Sequence, residues 1–240
     1  MRSSRSVADP LDPGSAGFAH RGLHGPGVPE NSMAAFRAAM EAGAGIECDV
    51  RLSADGEVMV FHDPDLRRIC SLPLEFEATE AAFLAGQRLA GTGETIPRLF
   101  DLLDLVGGRV PLLIELKTRN GNAGRLAAAV AAALARYDGP VGVMSFDPEA
   151  GRELKRDATH LRRGLVISDR ASALRRWHSM AIASPHFLAI DFAAVRRGWV
   201  ARSRSARQVY CWTIRTAANR ETAAVHADAL IWESDGRPRI

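Results

Sequence analysis

A closed (β/α)8 TIM barrel, with a β-hairpin and a short insertion after its second strand, is the fold these 240 residues predict. Three observations carry that expectation. Short apolar strands alternate with Ala/Leu-rich helical patterns along most of the chain, which requires parallel βα units. Apart from one hairpin arm the strands number eight, enough to close a barrel. The polar residues also gather at strand ends, and in such a barrel these ends share one rim.

Taken in order, Ala16 to His20 reads as a first strand, ending in His20-Arg21-Gly22 and a Gly/Pro-rich loop. Asn31 or Ser32 is a natural N-cap for an amphipathic helix from Met33 to about Ala42. In Ile46-Glu47-Cys48-Asp49-Val50 the apolar residues alternate with two carboxylates, so a strand turns both acids to one face. Asp55-Gly56 marks a turn, and Glu57 to Phe61 a second strand. The connection is too short for a parallel crossover, so this arm returns antiparallel and carries His62 to the level of Glu47. Asp63 to Thr95 is an irregular excursion with a helical turn or two near Glu77 to Leu84.

From Pro97, which suits a first helical position, a helix runs to about Val106. Strands are then expected at Val110–Lys117, Val141–Phe146, Arg163–Ser168, Phe187–Phe192, Gln208–Ile214 and Ala229–Glu233. Helices separate them at Ala123–Arg136, Pro148–Arg156, Arg170–Met180, Val195–Ser203 and Ala217–Val225. Strand parity turns Glu115 and Lys117 inward with Leu113, as it does Glu47 and Asp49.

Composition narrows the function classes. Apolar content of 47% and charged content of 25% suit one soluble domain over residues 15–240, after a disordered tail over residues 1–14. No apolar run approaches the ~20 residues that cross a bilayer, and no secretory h-region is visible at the start. No stable membrane insertion is expected. The three cysteines, Cys48, Cys70 and Cys211, are unpatterned and fit reduced thiols of a cytoplasmic protein. A net charge of +3 comes from scattered arginines without a dense aromatic-interleaved stripe, which argues against nucleic acid as partner. Lys117 and Lys155 are the only lysines.

Two carboxylates and an imidazole brought together by a hairpin make a metal and acid–base site. The motifs add a family. His20-Arg21-Gly22, Pro29-Glu30-Asn31, Glu47-Cys48-Asp49, Asp55-Gly56, His62-Asp63, Ile96-Pro97-Arg98-Leu99 and Glu115-Leu116-Lys117 together resemble the glycerophosphodiester phosphodiesterase family. Ser145-Phe146-Asp147 and Trp212-Thr213 also fit, and the match is densest from His20 to Lys117. The chain departs where the family often has Thr-Asp at its last strand end, with Trp232-Glu233-Ser234-Asp235 instead.

The resemblance implies a metal-dependent phosphodiesterase that cleaves glycerophosphodiesters to glycerol 3-phosphate and an alcohol. It implies Glu47, Asp49 and Glu115 as ligands of one divalent cation, Mg²⁺ or Ca²⁺, since an all-oxygen set suits hard ions. It implies His20 and His62 as the acid–base pair, their individual roles left open. Arg21 and Lys117 supply positive charge for the phosphate, with Glu30 placed to orient Arg21, and Trp212 flanks the substrate. A lysophospholipase D-like activity on the same site is the nearest alternative. A degenerate barrel that binds a phosphate ligand without turnover is a more distant one.

Overall fold

The structure, a computed structural model, describes residues 11–238. Eight parallel strands close a barrel: β1 (Phe18–His20), β2 (Gly45–Leu52), β4 (Leu112–Leu116), β5 (Val141–Ser145), β6 (Arg162–Ile167), β7 (Phe187–Asp191), β8 (Gln208–Ile214) and β9 (Ala229–Trp232). Closure is explicit, because β1 pairs in parallel with both β2 and β9. The hairpin arm β3 (Val58–Val60) lies outside the ring, antiparallel to β2.

The helices are α1 (Met33–Glu41), α2 (Arg67–Cys70), α3 (Ala81–Ala85), α4 (Leu99–Val106), α5 (Ala123–Leu134), α6 (Pro148–Asp157), α7 (Ala173–Ala183), α8 (Gly198–Arg204) and α9 (Ala217–His226). Their starts are chemically marked. The Ser32 hydroxyl accepts the Ala35 N–H at the head of α1, so Ser32 and not Asn31 is the cap. Asp147 caps α6 ahead of Pro148, and Thr216 caps α9. Apolar side chains at Leu99, Leu102, Leu103 and Val106 give α4 one buried face.

Strand parity sorts the side chains as the sequence predicts. Ile46, Cys48, Val50, Leu112, Ile114, Leu116 and Cys211 join the apolar layer between strands and helices. All three cysteines are free thiols. The inner face of the strands carries Phe18, Leu113, Met144, Val166, Phe187, Tyr210 and Ile231. Phe187 stacks on Tyr210 with ring centroids 4.8 Å apart. Gly164 makes room for this layer, since a Cβ there would sit 2.3 Å from the Phe187 ring.

Two findings correct the expected tail and hairpin. Leu11, placed in the tail that was expected to reach Gly14, is instead buried against the inner layer. Its side chain occupies the space left by Gly142, where a Cβ would meet Leu11 Cδ2 at 2.5 Å. The apolar barrel floor gains by covering itself with the first apolar residue available. The rest of that expectation, residues 1–10, lies outside the described residues. In the hairpin Val50 pairs with Val60, which sets His62 level with Cys48, one residue short of Glu47. The Phe61 N–H donates to the Asp49 carbonyl at 2.9 Å and fixes this register.

The excursion after β3 is more ordered than its mixed polarity suggests. Met59, Phe61, Leu66, Phe76, Ala81, Leu84, Leu89 and Ile96 form a separate small core. Phe61 and Phe76 stack at 4.8 Å inside it. Among the described residues no helix is long and apolar enough to cross a membrane.

Leu11→Ala is expected to cost roughly 2–5 kcal/mol, the usual range for emptying a fully buried leucine site. A shifted urea midpoint with an unchanged slope would show it. A midpoint equal to that of the parent chain would mean that Leu11 packs without consequence.

Candidate active site

Glu47, Asp49, Glu115, Arg21, Lys117 and Glu30, the acids and cations that the resemblance assigned to the site, meet at the C-terminal mouth of the barrel. Glu47 and Asp49 come from β2 and Glu115 from β4, in adjacent paired strands with Asp49 beside Glu115. One ligand oxygen from each lies within 4.8 Å of the others, and all three side chains are buried. Burial first, then Asp49 and Glu115, pushes the Glu47 carboxyl well above the usual carboxylate range. Burial would raise Asp49 too, but Lys117 and Arg21 hold it well below.

The cations are placed to do this. Lys117 Nζ donates to Glu115 Oε1 at 2.5 Å and stands 3.1 Å from Asp49 Oδ1. Burial opposes its charge, but Asp49 and Glu115 raise the ammonium above its ordinary range. Arg21 Nε lies 3.1 Å from Asp49 Oδ2, and its Nη1 donates to Glu30 Oε1 at 2.7 Å. Asn31 Nδ2 donates to the same Asp49 oxygen at 2.9 Å.

The loop after β1 is bent to reach these partners. Arg21 and Asn31 both take left-handed backbone angles, φ 57° and 54°. Such angles cost a non-glycine residue of order 1–3 kcal/mol unless its surroundings hold it. Here the Arg21 N–H donates to Glu47 Oε2 at 3.0 Å, and the Asn31 N–H donates to the Arg21 carbonyl at 2.9 Å. Gly22 (φ 77°) follows, and a Cβ there would come 2.8 Å from Ala35 on α1.

Each of the two histidines is held by a carboxylate through Nδ1. His20 Nδ1 meets Glu233 Oε2 at 2.6 Å, and His62 Nδ1 meets Asp63 Oδ1 at 2.7 Å. Glu233 is held well below the carboxylate range by its hydrogen bonds with His20 and Arg215, with His24 Nε2 3.8 Å away. Asp63 is lowered as well: burial raises it, but Arg68 and His62 outweigh that. Both acids accept, so Nδ1 of each imidazole donates to its carboxylate and leaves Nε2 as the nitrogen free of that tether. His20 Nε2 stands 4.0 Å from Glu47 Oε2. Burial, then Lys117 and Arg21, lowers His62 below the ordinary imidazole range, against the opposing pull of Asp49.

Trp212 lies on the same rim, donating Nε1–H to the Ala189 carbonyl at 3.1 Å and packing edge-on against Phe146 at 5.5 Å. The Phe146 ring centroid is 5.9 Å from Lys117 Nζ. Arg51, two residues beyond Asp49 on β2, is buried and is held by partners other than the three acids. It donates to the His62 and Lys117 carbonyls at 2.9 and 3.3 Å and pairs with Glu77. Sequence reasoning assigned no catalytic or binding role to Glu233, Asp63, Asn31 or Arg68, and took Asn31 only as a candidate helix cap. The signal for Glu233 was its place at the end of the last strand, where the family motif already carries an acid.

The three acids fit a hard cation. Glu47 Oε1 is buried and makes no hydrogen bond, whereas Asp49 Oδ1 has Lys117 Nζ 3.1 Å away as its ion-pair partner, so an oxygen of the cluster lacks a protein donor. Oxygen-only donors suit Mg²⁺ or Ca²⁺.

A closed barrel with imidazoles, carboxylates and cations converging at the C-terminal mouth is built as a barrel enzyme. Comparison with known proteins gives it a family. Residues 20–234 match the glycerophosphoryl diester phosphodiesterase family, and the chain belongs to that family of phosphoric diester hydrolases. It is 34% identical to a glycerophosphodiester phosphodiesterase of Caldanaerobacter subterraneus subsp. tengcongensis over 173 residues, 67% of this chain and 69% of that one. Some other curated relatives align over as little as 44% of their length. An Oleispira antarctica phosphodiesterase, solved with the product sn-glycerol 3-phosphate, shares the fold at a TM-score of 0.81. Identity there is 24%, over 91% of this chain and 92% of that one. A Thermotoga maritima glycerophosphodiester phosphodiesterase superposes with a TM-score of 0.74 at 25% identity, over 90% and 92% of the two chains.

Glu233→Ala should lower kcat by less than the ~10²–10⁴-fold that loss of an acid–base imidazole costs, because the ring remains but loses its tether. Glu233→Gln, which keeps an acceptor oxygen, should retain more activity than the alanine variant. Steady-state rates beside unchanged melting curves check this, and equal losses in the two variants would contradict it.

Proposed function

We propose that this mouth hydrolyses glycerophosphodiesters to glycerol 3-phosphate and the free alcohol. One observation carries the reading: two imidazoles, each tethered at Nδ1 by a carboxylate, flank a buried cluster of acids and cations. Arg21 and Lys117 bind the phosphate oxygens, the first as a planar fork and the second as a point charge. Trp212 and Phe146 wall the site beside Lys117. A divalent cation held by Glu47, Asp49 and Glu115, Mg²⁺ or Ca²⁺, would polarise the phosphoryl oxygens when bound.

His20 acts as base and His62 as acid. His20 is the more enclosed, at 12% side-chain exposure against 31% for His62. A leaving alcohol of variable size needs the open side, which is His62. His20 Nε2 takes the proton of the attacking water as the new P–O bond forms. The old P–O bond breaks towards the alcohol, and His62 gives its Nε2 proton to the departing alkoxide. Water is thus divided between phosphate and alcohol, and the two histidines exchange their protonation states before the next turnover. Free cysteines agree with a reducing cytoplasmic setting.

Strong chelation should abolish turnover of glycerophosphocholine, with Mg²⁺ or Ca²⁺ restoring it. Glu47→Gln should lose metal binding, read by calorimetry, together with activity while the fold persists. Full activity in chelator would sink the metal assignment.

His20→Ala and His62→Ala should each lose at least ~10²-fold in kcat with little change in substrate affinity, since proton transfer belongs to the transition state. A glycerophospho-nitrophenyl ester, whose alcohol leaves without protonation, should partly rescue His62→Ala and not His20→Ala. Equal rescue would remove the assignment of roles.

A further inference from the structure

Arg21 and His62 reach the mouth from different places. The first sits on the loop after β1, the second at the open end of the hairpin, and neither hydrogen-bonds the other. One side chain outside the barrel holds the partner of each. Arg68, on the one-turn helix α2 of the excursion, donates through Nε to Asp63 Oδ2 at 2.6 Å. Its Nη1 and Nη2 donate to Glu30 Oε2 and Oε1 at 2.9 and 2.7 Å. Asp63 in turn holds His62 Nδ1 through its other oxygen, and Glu30 Oε1 also accepts from Arg21 Nη1. A single guanidinium therefore closes a chain of five side chains: Arg21, Glu30, Arg68, Asp63 and His62.

We propose that Arg68 is a positioning residue for the reaction, setting the phosphate-binding Arg21 and the imidazole of His62 at a fixed separation. The proposal rests on the roles given above to those two residues. Three features favour it over an ordinary surface ion pair. The guanidinium makes three hydrogen bonds to two different carboxylates, and its fixed planar fork sets their relative placement. Both carboxylates bind a side chain of the mouth as well as Arg68. Finally α2, too short to persist alone, is anchored next to the excursion's core by Leu66, with Ile69 and Cys70 packed against that core. The excursion thus acts as a brace, with Arg68 as its contact with the site.

A lysine at position 68 would supply the charge but could not span both carboxylates in that geometry. Arg68→Ala and Arg68→Lys should both lower kcat on glycerophosphocholine, by about 10²-fold for the alanine variant, as small misplacements of reacting groups do. Melting temperatures should stay near that of the parent. Because the effect on kcat passes through His62, adding Arg68→Ala to His62→Ala should lower kcat no further than about threefold, while KM still rises through the freed Arg21.

Three results would overturn the inference. One is an Arg68→Lys enzyme that matches the parent in kcat and KM. Another is an Arg68→Ala enzyme that keeps the parent kcat while His62→Ala is crippled, which leaves the active-site reading intact. The third is a double variant in which the two losses multiply in full. A His62→Ala enzyme with parental kcat would instead remove the active-site reading on which the inference rests.

Discussion

Three carboxylates buried within a few ångströms of one another are the constraint that the rest of this mouth satisfies. Water would solvate such charges, but a barrel interior does not, and mutual repulsion adds to the cost. The chain answers with the cations Lys117 and Arg21 and the amide of Asn31. Lys117 stands two residues beyond Glu115 on the same inward face, so one strand contributes both an acid and its counter-charge. Arg21 arrives from the neighbouring strand through a backbone bend that only these contacts justify. Even so Glu47 stays poorly compensated, its carboxyl pushed up by burial and by its acidic neighbours, and Glu47 Oε1 makes no hydrogen bond. Three carboxylates stand against the two cations Lys117 and Arg21, so the cluster is left short of positive charge.

The imidazoles obey a different requirement, that of direction. A histidine can pass a proton at one nitrogen reliably only if the other is fixed. His20 is fixed by an acid at the end of the last strand, so its orientation depends on barrel closure between β9 and β1. Trp232 reinforces this seam by donating its indole N–H to the Ala16 carbonyl at 2.7 Å. His62 is fixed by its own sequence neighbour, and so its orientation depends on the excursion. One imidazole is thus tied to the seam that closes the barrel, the other to the excursion outside it.

What could be read from the sequence follows from this division. Strand parity placed Glu47, Asp49, Glu115 and Lys117 on the inward face correctly, because a period of two leaves no choice once the apolar side is known. Barrel closure was legible for the same reason, as eight apolar segments need eight neighbours. Hairpin register was not. It depends on which loop residues pair, and a one-residue difference between Glu47 and Cys48 is invisible to an alternation pattern. Side-chain partners across long sequence separations were also hidden: nothing near Glu233 announces His20, 213 positions away. Leu11 was missed because a single apolar residue among Pro and Asp carries no periodicity, although Gly142 leaves it a place.

The excursion remains as the part of the fold with the least pattern and the widest consequence. Its core is separate from the two layers of the barrel, and none of the three clustered acids belongs to it. Among its links to the mouth are Arg68 to Asp63 and Glu30, and Glu77 to Arg51, which in turn holds the His62 carbonyl. Loosening that core would therefore act first on the placement of His62 and Arg21 and leave the acid cluster as it is. The supports of the mouth are thus divided: Arg21 and His62 are braced from the excursion through Glu30 and Asp63, His20 from the barrel seam through Glu233, and the three acids sit on β2 and β4 themselves.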